Sequence, residues 1–147
     1  MNPSVRLFAT VLGYAGLLPF LAATAAIFSS DPTVSGPGLY ALTVYAAVFL
    51  SFMGAVHWGL AMQSDHAVAR WQLAASVVPL LAAGLLVVVL PPPSTLIGLG
   101  VAFLVLLGFD LLAVRQGLAP DWYARLRVPL TVLSCVALWT AAWELSH

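Results

Sequence analysis

Nearly all of this chain is taken up by five apolar blocks, each about as long as a bilayer is thick: Leu7 to Phe28, Leu39 to Met62, Trp71 to Leu90, Leu96 to Val114, and Asp121 to Trp143 with polar residues in its first turns. A helix needs roughly 20 mostly apolar residues to cross the hydrocarbon core. Five such blocks in 147 residues leave almost nothing for a water-soluble domain. With 63% hydrophobic and 7% charged residues, a soluble fold of this size would have too little interior to hide its apolar surface. Lipid offers no hydrogen-bond partners, so each crossing segment must satisfy its own backbone. The blocks lack the short alternating pattern of a membrane β-barrel, which leaves helices. The expectation is an all-α membrane protein: one domain over 1-147, a five-transmembrane-helix bundle with helices at about 6-29, 38-63, 70-90, 95-115 and 121-145. The connectors carry the matching punctuation, with Asp31, Pro32, Gly36 and Pro37 after the first block, Pro91 to Pro93 after the third, and Gly117 and Pro120 after the fourth.

Charge sets the expected orientation. Short loops rich in Arg or Lys stay in the cytoplasm. If five helices alternate, Arg6, Arg70, Arg115, Arg125 and Arg127 all fall on one side, and the other side holds Asp31 and Glu144. The N-terminus is therefore expected in the cytoplasm and the C-terminus outside. Aromatics mark both ends: Trp58, Trp71, Trp122 and Tyr123 near the inner face, Tyr40, Trp139 and Trp143 near the outer. The uncharged run from Leu7 to Phe28 exceeds the roughly 7–15 residues of a signal-peptide core, so it is read as a span. Small residues at helical spacing, among them Gly13 and Gly16, Gly54, and Gly98 with Ala102, should let the helices approach closely. Pro19, Pro79 and Pro129 should bend the three outward-running spans.

Net charge is zero, there is no lysine and no basic run, which argues against a nucleic-acid partner. The single cysteine, Cys135, lies in an apolar stretch and reads as a small core residue. No cofactor is expected: His57 is the one histidine inside a block, so axial haem ligation has no second ligand, and no metal-binding spacing or phosphate loop occurs. Asp65 with His66 reads as a solvated loop pair.

Ionisable groups within a membrane are costly and mark functional candidates. His57, Asp110 and Arg127 all fall roughly 7 to 12 Å inside the arginine-bearing boundary, at about 1.5 Å per residue. Gln72 and Ser76 on the third helix and Thr131 and Ser134 on the fifth extend polarity at that depth, with Thr10 and Tyr14 of the first as further members. Asp110 is expected to pair with Arg127 or to orient His57, in a polar pocket between the second, fourth and fifth helices that opens toward the cytoplasm. Three alternatives stand open: a network that fixes helix register, an Arg127 that snorkels to the headgroups, and a ligand or proton site.

The segment Ser51-Phe-Met-Gly-Ala-Val-His57-Trp58-Gly59-Leu-Ala, then Gly108-Phe-Asp110, then Asp121-Trp122-Tyr123-Ala-Arg125-Leu-Arg127-Val-Pro129-Leu-Thr131, resembles the transmembrane protein 69 family. This is a domain of unknown function found in bacteria and mitochondria. The resemblance implies a small multi-pass membrane protein without an assigned activity. It makes His57, Trp58, Asp110, Trp122, Tyr123 and Arg127 the positions matching the family pattern. With no Arg- and Ser-rich transit segment visible, a bacterial inner (plasma) membrane is the simpler expectation.

Three functions follow as expectations. The first is a non-enzymatic accessory or assembly partner of a larger membrane complex, since short loops leave little surface outside the lipid bilayer. The second is a protein that binds or transports a small amphiphile, lipid or quinone-like ligand, with His57 and Arg127 as polar anchors and Trp58, Trp122 and Tyr123 as an aromatic wall. The third is an intramembrane enzyme with His57 as base and Asp110 orienting it.

Overall fold

The computed structural model describes residues 2–63 and 66–147, so Ser64 and Asp65, and with them the expected Asp65–His66 loop pair, lie outside the described residues. The described chain is helical: α1 (Pro3–Ala15), α2 (Leu18–Ile27), α3 (Pro32–Ala61), α4 (His66–Val89), α5 (Pro92–Arg115) and α6 (Asp121–Glu144). Together α1 and α2 make one apolar span, and with the other four helices they give five segments long and apolar enough to cross a membrane.

The first span differs from the single helix expected over 6-29. Pro19 has no amide hydrogen to give to the carbonyl four residues back, so α1 stops at Ala15 and the helix restarts at Leu18. The phenol of Tyr45 on α3 donates to the Gly16 carbonyl at 2.8 Å and pins the break. Helix α3 begins six residues earlier than expected. Asp31 caps it by accepting from the Thr33 amide at 2.8 Å and the Thr33 hydroxyl at 2.7 Å, and Pro32 occupies the first helical position, where its missing amide costs nothing. Those two bonds hold the Asp31 carboxyl below the usual carboxylate range. Pro37, which reads as a loop residue, thus sits inside the helix near its start.

Two turns set the register of the site. Thr95, buried, brings its hydroxyl within 3.2 Å of the carbonyls of Leu86, Leu90 and Pro91, which ties the end of α4 to the start of α5. After α5, Gly117 takes φ 72°, and the amides of Gly117 and Leu118 bond back to the carbonyls of Val114 and Ala113. That Schellman closure needs a residue free of a Cβ penalty, and it turns the chain directly into α6.

The core is built mainly by α2, α3, α5 and α6, with Ala83 of α4 joining it. Phe20 of α2 is wholly buried at its centre, edge-on to Tyr45, Phe49 and Phe103 at ring-centroid distances of 5.3, 5.5 and 6.1 Å. Small residues bring helices close, as expected: a Cβ on Gly54 of α3 would lie 2.9 Å from the Ser76 carbonyl oxygen of α4 and 3.2 Å from Pro79. Gly100 lies so close beneath the Trp139 indole that a side chain there would collide with its nitrogen. Cys135 is the small core residue the sequence suggests, its thiol 3.3 Å from the Gly100 carbonyl. By contrast α1 contributes no buried residue.

Candidate functional site: a buried carboxylate with three donors

Asp110 lies five residues before the end of α5, fully buried, and three side chains converge on its carboxylate. Arg127 Nε donates to Oδ2 at 2.6 Å. His57 Nε2 lies 3.1 Å from Oδ1, and the Tyr123 hydroxyl donates to the same oxygen at 2.9 Å. Tyr123 and Arg127 are one turn apart on α6, so a single helix face presents both, and the tight α5–α6 turn places that face opposite Asp110. His57 comes from α3, one turn before that helix ends. The two alternative roles for Asp110 are both occupied: it pairs with Arg127 and it accepts from His57. Arg127 is not a snorkelling residue, since it is 1% exposed.

The electrostatics follow from a carboxylate being an acceptor only. His57 must give it the Nε2–H, so a neutral ring keeps its lone pair on Nδ1, and that atom has no partner among the described residues. Arg127 and Asp110 cancel as charges. The pair is costly to bury, and the donations from Tyr123 and His57 are what offset that cost. Arg127 Nη2, however, is buried with no acceptor among the described residues. So are Thr131 Oγ1 and Ser134 Oγ, one and two turns further along α6.

On the His57 side the site is sealed by aromatics. The Trp71 ring of α4 lies 5.8 Å from the imidazole and stacks in turn on Phe109 of α5 at 6.1 Å. The sequence reading placed Trp71 in the interfacial belt and missed this role; the only hint was that it opens the third apolar block, near the depth of His57 in the second. On the Arg127 side there is open space. A cavity of about 530 Å³ lies between α1, α3 and α6, walled by Leu12, Val48, Phe52 and Leu130 among others, with Tyr123 and Arg127 supplying its polar end.

The other expected members are distributed unevenly. Gln72 and Ser76 are buried on α4, with the Ser76 hydroxyl returned to the Leu73 carbonyl of its own helix at 2.7 Å. Trp58 is half exposed and points away from the cluster, because neighbours on a helix are about 100° apart and His57 takes the inward position. Trp122 is edge-on to Tyr123 but lines a separate cavity with Arg6 and Arg125, so the expected wall of Trp58, Trp122 and Tyr123 does not form. Thr10 and Tyr14 line that second cavity too and do not join the Asp110 cluster. The pocket expected between the second, fourth and fifth spans is filled by the ion pair itself; the open cleft lies between the first, second and fifth, and it is apolar. Among the described residues, no three His, Cys, Asp or Glu gather where they could hold a metal.

A family described as protein of unknown function (DUF3429) matches residues 5–143. The chain belongs to this family. It is also similar to Transmembrane protein 69 of Xenopus tropicalis, with 33% identity over an alignment covering 88% of this chain and 51% of the relative. The chain thus spans about half the length of that relative. No solved structure matches. The resemblance carried by the His57-Trp58-Gly59 and Trp122-Tyr123 segments therefore stands, and this DUF3429 chain is a multi-pass membrane protein whose family has no assigned activity.

Proposed function

We propose that the chain binds one small amphiphile in the cleft between α1, α3 and α6, with its apolar body against Leu12, Val48, Phe52 and Leu130 and its polar end at Arg127. The observation that carries this reading is the unpaired Arg127 Nη2 on a residue that lines an apolar cavity. A buried guanidinium hydrogen without an acceptor costs about 1 to 3 kcal/mol or more, which a ligand acceptor would recover. A cavity of about 530 Å³ falls within the roughly 300–1,000 Å³ common for small-molecule sites. Asp110 already neutralises Arg127, so a neutral carbonyl, as in a quinone or an ester, fits without adding net charge to a buried site. The enzyme reading has less support, since His57 is wholly enclosed and its Nε2 is committed to Asp110.

We place the arginine-bearing end of the bundle in the cytoplasm on the positive-inside rule, with the bacterial plasma membrane as the setting. Cysteines introduced singly at Ser94 and Gln116 should be labelled from outside and inside respectively, and the opposite pattern would overturn this orientation.

Native mass spectrometry of the protein taken from its own membrane in mild detergent tests the binding reading. Wild type should carry one small molecule. Arg127→Gln should lose it, and Ala9→Phe, which fills the cleft and leaves the ion pair intact, should lose it while melting like wild type. An empty cleft with a stable protein partner would instead assign the chain to the assembly role.

A further inference from the structure

We propose that the seam between α1 and α6 binds one phosphate-bearing anion, a phospholipid headgroup or free phosphate, between Arg6 and Arg125. The site is distinct from the amphiphile cleft and shares only Leu126 with it. A cavity of about 450 Å³ brings together Arg6, Thr10 and Tyr14 of α1 with Trp122, Arg125 and Leu126 of α6. The faces of α1 divide between the two cavities: Arg6, Thr10 and Tyr14 form a stripe at helical spacing that lines this one, while Ala9, Leu12, Gly13 and Gly16 line the cleft.

Two arginines on different helices in one cavity repel each other unless an anion lies between them. Among the described residues neither has a carboxylate partner: both ion pairs present converge on Asp110. Asp121, a turn before Arg125 on the same helix, pairs with neither. Each guanidinium offers several hydrogen-bond donors in a planar fork, the geometry that matches phosphate oxygens. Arg6 and Arg125 lie within the first five residues of their helices, at the arginine-bearing end where headgroups lie, and Trp122 and Tyr14 provide amphipathic rings of the kind that settle at that level. Leu7 and Leu126 line the same cavity and suit the glycerol and first methylenes of a lipid. A single arginine reaching for the headgroup layer would be ordinary snorkelling. A shared cavity makes a different prediction, because its affinity depends on both residues at once.

The full chain in phosphatidylcholine nanodiscs containing phosphatidylglycerol provides the test, with retained lipid counted by native mass spectrometry. Wild type should hold one phosphatidylglycerol after the phosphatidylcholine is stripped. Arg6→Gln and Arg125→Gln should each lower retention about fivefold, because the arginine that remains cannot clamp the anion alone. The double variant should be little worse than either single, while Arg115→Gln, at the end of α5 outside this cavity, should leave retention unchanged. Both target arginines are exposed, so the variants should melt like wild type, and Arg125→Lys should restore part of the retention by charge alone. Millimolar inorganic phosphate that displaces the lipid identifies free phosphate as the ligand; a lipid that resists it identifies the headgroup. No preference for phosphatidylglycerol in wild type, losses that simply add, or an equal loss in Arg115→Gln would overturn the site.

Discussion

The two ends of the Asp110 network are finished differently. Toward α4 it is closed, with Trp71 tilted over His57 and stacked on Phe109, and α3 drawn against α4 at Gly54. Toward α1 an apolar cavity is open with Arg127 among its lining residues, and both hydrogens of the buried Arg127 Nη2 lack an acceptor among the described residues. The same contrast runs through the helices. Those of the body have Phe20 and its aromatic neighbours at their centre, whereas α1 lies at the edge before the Gly16 break, meeting α6 where Gly13 faces Leu126 and Leu130, with Leu12 56% exposed and no residue buried. Architecture explains the closed side, because an enclosed ion pair fixes helix register without needing a ligand, even with His57 Nδ1 left without a partner among the described residues. It does not explain a buried donor left beside an open cavity.

This contrast predicts an order of effects. Asp110→Asn keeps the shape and removes the charge, which leaves Arg127 buried and uncompensated; it should cost about 3 kcal/mol, read as a large fall in melting temperature in detergent. An unchanged melting point would mean that the pair is not what holds α3, α5 and α6 together. Gly54→Val comes next. The added methyls press α3 off the Ser76 carbonyl and Pro79, so stability should drop by about 1 to 3 kcal/mol, with little change in bound ligand. Leu12→Ala should be smallest, within about 0.5 kcal/mol of wild type, yet it should weaken ligand retention because Leu12 lines the cleft. If Leu12→Ala destabilised as much as Gly54→Val, α1 would belong to the core and the contrast would fail.

Much of this was legible from residue order. Uncharged stretches of spanning length report helices directly, since a bilayer admits few other structures. The depth of His57, Asp110 and Arg127 follows from counting residues to the helix ends, and a common depth brought them together. What counting does not supply is rotation about each helix axis. Trp58 and Trp71 therefore exchanged roles: the residue beside His57 in sequence faces away, and the one on the next helix covers it. The break before Pro19 reads as a kink, because nothing local distinguishes a bent helix from two helices; the Tyr45 bond to Gly16 that settles it comes from 29 residues away. The cleft was misplaced for a related reason. A cavity is space that side chains of three helices fail to fill, and no single segment records it.

The most direct test of the central claim is photocrosslinking of the reconstituted full chain with a carbonyl-headed alkyl probe bearing a diazirine on its chain, followed by peptide mapping. The account predicts label concentrated on α1, α3 and α6 around Leu12, Phe52 and Leu130, and lost in Ala9→Phe. Label spread equally over the lipid-facing residues of α4, such as Leu81, Leu85 and Val88, and indifferent to Ala9→Phe would contradict it.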